Sequence, residues 1–384
     1  MKKQLGFTLI ESMIAMAVTL IAVAATMMAF RDATSAHQNV ALRSDMSDNL
    51  RAGLNLIEQD LLQTGTGIPT SGITLPSYNG TLTTEVGAMT VAFGGAGNTT
   101  TCANGYTVIN RPLLTGATMF PQCNLTLPAI EPGNALGPFI TSPDATSQFN
   151  TDIITVLYTD NTLGLNLAPV NRPAVGNVPA CAGSIGALGQ SANFDANCVV
   201  IGVGDSQISP GDLLMFSNAK GNALVQVTSG TWPNVNFAKG DAFGLNQTNA
   251  NNGTLLQLQN TDIVGIPNGT YPPTTATRIW MITYYLDNLT DPTHVRLIRR
   301  VNFNTGQPVG ETLENLQFTY NYNDGINTNQ LAVPSGLSES QIRSVNVYLG
   351  VRSVDIWGQN HKYMRNNFQT QVSLRSMAYV NRYR

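Results

Sequence analysis

Hydrophobic and polar positions divide the chain into an apolar beginning, an amphipathic continuation and a long remainder of short alternating runs. From Phe7 to Phe30 the sequence is apolar over 24 residues, with Glu11 as the only ionisable member. As a helix this segment would span about 36 Å, enough to cross a hydrocarbon core of ~30 Å. Beyond it, Val40, Met46, Leu50, Leu54, Ile57 and Leu61 recur at gaps of six, four, four, three and four residues, with Arg43 interrupting the first. That spacing predicts an amphipathic helix with one apolar face. Arg31, Asp32, Arg43, Asp45, Asp48, Arg51, Glu58 and Asp60 fall mostly on its other faces. Gly65, Gly67 and Pro69 supply the stop. A helix over Phe7–Gln63, 57 residues loosened slightly at Gly53, is therefore expected.

The pattern then changes period. Residues 65–277 are rich in Gly, Thr, Asn and Pro and read as loops and short strands, a candidate inserted subdomain. Strands are predicted at Thr90–Phe93, at Tyr106–Ile109 and, more strongly, at Asp152–Tyr158. Gly211–Phe216 and Ala223–Val227 read as a hairpin around Asn218–Asn222, and Gln247–Gly253 as an Asn-rich loop. The last third, 278–384, alternates best, with strands at Arg278–Leu286, His294–Arg300, Glu314–Tyr322, Ile342–Arg352 and Phe368–Arg375. The expected fold class is α+β: a long N-terminal helix packed on an antiparallel β-meander, with a large loop-rich insertion.

Composition sharpens this picture. Only 11% of the 384 residues are charged while 42% are hydrophobic, and the net charge is −3, which excludes a disordered chain. The surplus is uneven: +1 over residues 1–51, −8 over 52–277 and +4 over 278–384. Beyond the leader's Lys2-Lys3, Arg299-Arg300 is the only adjacent basic pair, so no nucleic-acid surface is expected and the basic end reads as a solvated sheet face.

Three readings compete for Phe7–Phe30. A secretory signal peptide has a shorter apolar region; Val23-Ala24-Ala25 resembles its cleavage site, yet the apolar run continues through Phe30. A plain anchor gives no reason for Glu11, since an acid within the membrane costs ~2.5–3.5 kcal/mol on insertion scales. The third reading explains the acid. Lys2-Lys3 followed by Gly6-Phe7-Thr8-Leu9-Ile10-Glu11 closely resembles the signature of the type IV prepilin family. The resemblance implies a leader over residues 1–6, cleavage by prepilin peptidase between Gly6 and Phe7, and methylation of the new amine on Phe7. It implies that residues 7–30 stay as the membrane and filament-core helix in contact with lipid, and that residues 31–64 continue it. It also makes Glu11 the assembly residue, docking on the amino terminus of a neighbouring subunit. Lys2 and Lys3 would stay cytoplasmic and the head would be periplasmic, later at the cell surface.

A second resemblance rests on Trp280–Leu286, Leu297-Ile298-Arg299-Arg300, Glu311–Tyr320 and the closing Val372-Ser373-Leu374-Arg375, which look like the PilW and PulJ branch of minor pilins. In that branch the chain ends in a strand near its terminus. The implied partners are other minor and major pilins and the inner-membrane assembly machinery, with a minor pilin acting in assembly near the filament tip. A type II secretion pseudopilin of the PulJ kind is the nearest alternative. A tip adhesin that binds a surface or glycan through residues 65–277 is another.

Candidate chemistry is sparse. Cys102 and Cys123, 21 apart, and Cys181 and Cys198, 17 apart, read most simply as two local disulfides in an oxidising compartment. No Cys-x-x-Cys occurs and His37, His294 and His361 lie far away in sequence, so no metal is expected. Gly-x-Ser-x-Gly, His-Glu-x-x-His and phosphate-loop motifs are absent, and neither catalysis nor a cofactor is expected. Ile201–Asp205 lacks the third Gly of a dinucleotide turn; Glu311 and Glu314 read as turn and strand-edge acids; Asp324-Gly325 is the sole candidate calcium loop. Trp232, Trp280, Trp357, Tyr284, Tyr285, Tyr320 and Tyr322 read as core, with an exposed binding face as the alternative.

Overall fold

The computed structural model describes residues 8–74, 107–112, 119–124 and 126–380, apart from 145–147, 166–168, 173, 175–179, 196–197, 199–207, 239–240, 242–244, 247–253, 264–265, 268, 289, 303 and 358–361. The expected elements at Thr90–Phe93 and Gln247–Gly253, and the Ile201–Asp205 turn, lie outside the described residues, as do Cys102 and His361.

Helix α1 spans Leu9–Gln63, 55 unbroken residues. It stops where Thr64 turns to φ −51°, ψ 131° and its N–H bonds Leu61 O. Gly65 then adopts φ +80° and donates its N–H to Leu157 O at 2.9 Å, which ties the end of the helix to the head. Met46, Leu50, Leu54, Ile57 and Leu61 are buried, as their spacing predicts, whereas Val40 is exposed: the head does not reach down to it. Gly53 does not loosen the helix. A Cβ there would lie 2.8 Å from Leu297 Cδ2, so the glycine lets the helix approach the sheet closely.

Seven strands form one antiparallel sheet: β1 (Ile130–Gly133), β2 (Ile153–Asp160), β3 (Leu213–Asn218), β4 (Gly221–Gln226), β5 (Thr275–Asp287), β6 (Arg296–Val301) and β7 (Gln307–Glu311). The 13-residue β5 is its centre. One edge pairs with β2 along Arg278–Tyr284; the other pairs first with β3 along Thr275–Ile279 and then with β6 along Ile282–Asp287. Between those two partners sits Asn302, buried and left-handed at φ 50°. Its N–H donates to Met281 O at 2.7 Å and its Oδ1 accepts from Met281 N at 3.0 Å, so the gap in the ladder is closed by one residue.

The last third departs from the single meander expected of it. β5, β6 and β7 belong to the large sheet, while β8 (Leu313–Tyr322), β9 (Ile342–Trp357) and β10 (Lys362–Ser373) form a second, three-stranded antiparallel sheet. The corner is Thr312, a non-glycine residue at φ 57°, whose carbonyl accepts from Arg352 N. Nor does the chain close on the predicted strand through Arg375. β10 stops at Ser373 and a helix, α2 (Arg375–Val380), follows; Leu374 and Met377 bury themselves in the main core, with Met377 against Gly65.

That core joins α1 to both sheets, with Ile57, Leu61, Leu157, Tyr284, Phe318 and Val347 among its members. A second core lies on the other side of β3 and β4: Leu213, Met215 and Leu224 face the first, and Leu214, Phe216, Ala223 and Val225 the second. A strand buried on both faces reads as a continuous apolar run, which is why this hairpin was legible. The second core is covered by a small sheet of Ser184–Ile185, Ser191–Asn193, Asn234–Asn236 and Ser229–Thr231, with Phe194 stacked on Trp232 at 5.0 Å. A disulfide joins Cys181 to Cys198, the first within this core and the second packed against it.

Candidate functional site: the amino-terminal helix

Thr8 is the N-cap of α1. Its Oγ1 accepts from Glu11 N at 3.4 Å, while Glu11 Oε2 accepts from Thr8 N and from the Thr8 hydroxyl, both at 3.0 Å. This reciprocal capping box places a carboxylate in the first turn, where the positive end of the helix dipole favours it. Gly6 and Phe7 lie outside the described residues. Every residue from Thr8 to Thr34 is exposed, including Leu9, Ile10, Leu20, Ile21, Met28 and Phe30. The threonine hydroxyls of this stretch turn inward: Thr19 donates to Ala15 O at 2.8 Å and Thr26 to Val23 O at 2.9 Å. An unpartnered apolar surface with its threonine hydroxyls satisfied internally suits lipid or a helical bundle. α1 is long and apolar enough at this end to cross a membrane.

At the other end of the same helix an acid is buried. Asp60 Oδ1 accepts from Tyr158 OH at 3.0 Å and Arg299 Nη2 at 3.1 Å, and Oδ2 from Tyr284 OH at 2.5 Å and Arg299 Nε at 2.7 Å. Burial, reinforced by the Asp60 charge, pushes both tyrosines well above their ordinary pKa. For Arg299 burial acts downward, but the Asp60 hydrogen bonds and charge outweigh it and hold the guanidinium pKa above normal. Sequence reasoning placed the helix acids mostly on other faces. The signal for Asp60 was its position three residues after Ile57 and one before Leu61, inside the apolar stripe.

Other ionic clusters correct the reading of 278–384 as a solvated basic face. Arg278 pairs with Asp160 and lies over the Trp280 ring, 4.5 Å from its centroid. Glu314, expected at a strand edge, is buried, with Arg365 Nε at 2.8 Å and Arg352 Nε at 3.5 Å, while Glu311 is exposed at the preceding turn. Arg278, Arg299, Arg352 and Arg365 of this region are thus engaged in ion pairs with the fold, while Arg343, Lys362 and Arg375 stay exposed. Tyr284, Tyr285, Tyr320 and Tyr322 are core residues, not a binding face.

The remaining candidates do not converge. His37 is exposed on α1, and His294 Nδ1 meets Asp291 at 2.9 Å. The Asp324 carboxylate is engaged by Ile326 N, Asn327 N and Asn327 Nδ2 of its own loop. Among the described residues no group of three or more His, Cys, Asp or Glu is placed to hold a metal ion.

No curated protein and no solved structure matches the chain. Residues 1–27 match the model of the prokaryotic N-terminal methylation motif. That motif implies processing by prepilin peptidase and association with pilins, and with the apolar helix it fits a single-pass inner-membrane anchor. Motif, bare apolar helix and α+β head together support a type IV pilin-like or pseudopilin protein.

Proposed function

We propose that this chain is a minor pilin of a type IV pilus, a structural subunit without catalysis of its own that acts in pilus assembly and initiation near the tip. The observation that carries the reading is one unbroken helix, bare and apolar at Leu9–Phe30 and clasped by a folded head from Met46 onward. Prepilin peptidase removes residues 1–6, which leaves 378 of 384 residues and a new terminus at Phe7, the site of methylation. The head then lies in the periplasm. In the membrane Glu11 is held by Thr8; in the filament bundle a carboxylate needs a cationic partner, and the amino terminus of the neighbouring subunit supplies one. That exchange sets the axial step between subunits. The PilW-like sequence segments Trp280–Leu286, Leu297–Arg300, Glu311–Tyr320 and Val372–Arg375 support a minor rather than a major pilin.

Intact mass of the protein recovered from membranes and from sheared filaments tests this directly. A chain beginning at methylated Phe7 in the sheared fraction is expected. The same species confined to membranes, with protein secretion lost on deletion, would assign it to a secretion pseudopilin instead. Glu11→Ala should still be cleaved yet be absent from filaments; normal incorporation would remove the docking role.

A further inference from the structure

The outer face of the three-stranded sheet carries an open cleft of about 720 Å³. Its floor follows from register. Asn321, Ser344 and Ser373 are directly opposed across β8, β9 and β10, and Thr319, Asn346 and Gln371 form the next row. Neighbouring strands lie ~4.8 Å apart and successive same-face rows ~6.8 Å apart, so Asn321, Ser344, Ser373, Asn346 and Gln371, with Thr319 at the margin, tile a patch the size of one or two sugar rings. Asn321 Nδ2 and Gln371 Nε2 both donate to Ser344 Oγ, at 2.9 and 3.0 Å, and Asn346 Nδ2 donates to Thr319 Oγ1 at 3.0 Å. The loop after β8 forms the wall: Asn329 N donates to Asn321 Oδ1 and Asn329 Oδ1 accepts from Asn346 Nδ2, both at 2.8 Å. These bonds fix the tiles in place.

The tiles are not used up. The Thr328 and Ser373 hydroxyls and the Arg343 guanidinium engage no other described residue, and the carbonyls of Asn346 and Gln371 keep their acceptor capacity. Arg343 owes its position to a bulge. The β8–β9 register runs from Asn321↔Ser344 to Tyr322↔Ile342 and skips Arg343, so that Arg343 and Ser344 both line the cleft. No carboxylate lines it among the described residues. Floor and wall offer mainly amides and hydroxyls, with Tyr322 the one aromatic side chain among the lining residues.

We propose that this cleft binds an anionic saccharide, its ring hydroxyls on the amide and hydroxyl rows and its carboxylate on Arg343. The site lies in residues 319–373, apart from the 65–277 region considered above for adhesion, and it stands whichever filament the chain joins. The test is titration of the full-length chain in detergent micelles with tri-galacturonate, with maltotriose as the neutral probe and an Asp-Glu peptide of equal charge as the protein-like one. Saturable binding of tri-galacturonate is expected, about tenfold or more tighter than maltotriose, with that preference lost in Arg343→Gln, an exposed position whose change leaves the fold intact. Gln371→Leu should weaken both saccharides together. Absence of saturable binding, equal affinity in Arg343→Gln, or tighter binding of the peptide than of the saccharide would overturn the proposal.

Discussion

The two halves of α1 are built from similar apolar residues and meet opposite fates. Leu9, Ile21 and Phe30 are exposed; Leu50, Ile57 and Leu61 are almost wholly buried. The difference is not hydrophobicity but what interrupts it. The first half is apolar around its whole circumference, so no single face selects a partner within the chain. In the second half charged residues narrow the apolar surface to a stripe, and a stripe specifies one face for the head. Asp60, set within that stripe, adds direction to a contact that apolar packing alone leaves free to slide.

Breaking that acid should have the largest effect. Asp60→Ala strands Arg299 and two tyrosine hydroxyls in a poorly hydrated site, and a loss of about 3–5 kcal/mol is expected, seen as a fall in the urea midpoint of the full chain in micelles. Next, Ile57→Ala should cost about 3 kcal/mol, whereas Ile21→Ala should leave the head's midpoint unchanged. Equal effects from the two substitutions would erase the contrast between the halves. Gly53→Val, which drives a side chain into Leu297, should cost about 1.5 kcal/mol despite a better helix propensity.

Alkaline pH probes the same latch more gently. The folded state raises the pKa of Tyr158 and Tyr284, so it holds their protons more tightly than the unfolded chain does. Their contribution is complete below ~10, the unfolded tyrosine value, and is lost as pH climbs toward the folded one. The urea midpoint should therefore fall from about pH 10 upward, and Tyr158→Phe should flatten that slope. Smallest of all, Glu11→Ala should not move the head's midpoint, since among the described residues the Glu11 carboxylate hydrogen-bonds Thr8 and no residue of the head.

Much of this was legible in the sequence, and the failures are local in cause. Periodicity marked α1 to within a few residues, and alternation found β5, β8 and β9, because each rests on a pattern contained in its own segment. The split of the last third into two sheets was hidden because its corner is Thr312, a β-branched residue at positive φ, where neither Gly nor Pro announces a turn. The Asp60 latch was hidden by distance: Arg299 lies 239 residues away along the chain, and nothing in either neighbourhood names the other. The carboxyl-terminal strand was overextended because Leu374 continues both the alternation and the register, its N–H bonding Arg343 O opposite it, and the helix begins only at Arg375. At the amino terminus the Glu11 motif was legible in six consecutive residues, since its chemistry is local.

The latch has a mechanical consequence. The head grips α1 only between Met46 and Leu61, a length of about 23 Å, and its grip runs parallel to the helix axis. A pull on the head along that axis therefore loads the apolar rows and the Asp60–Arg299 pair in shear, all together, rather than peeling them apart in turn. Residues 31–45, with no fully buried side chain to brace them, are left as the compliant link in that line of tension. Under strain this subunit should stretch at its neck before it loses its head.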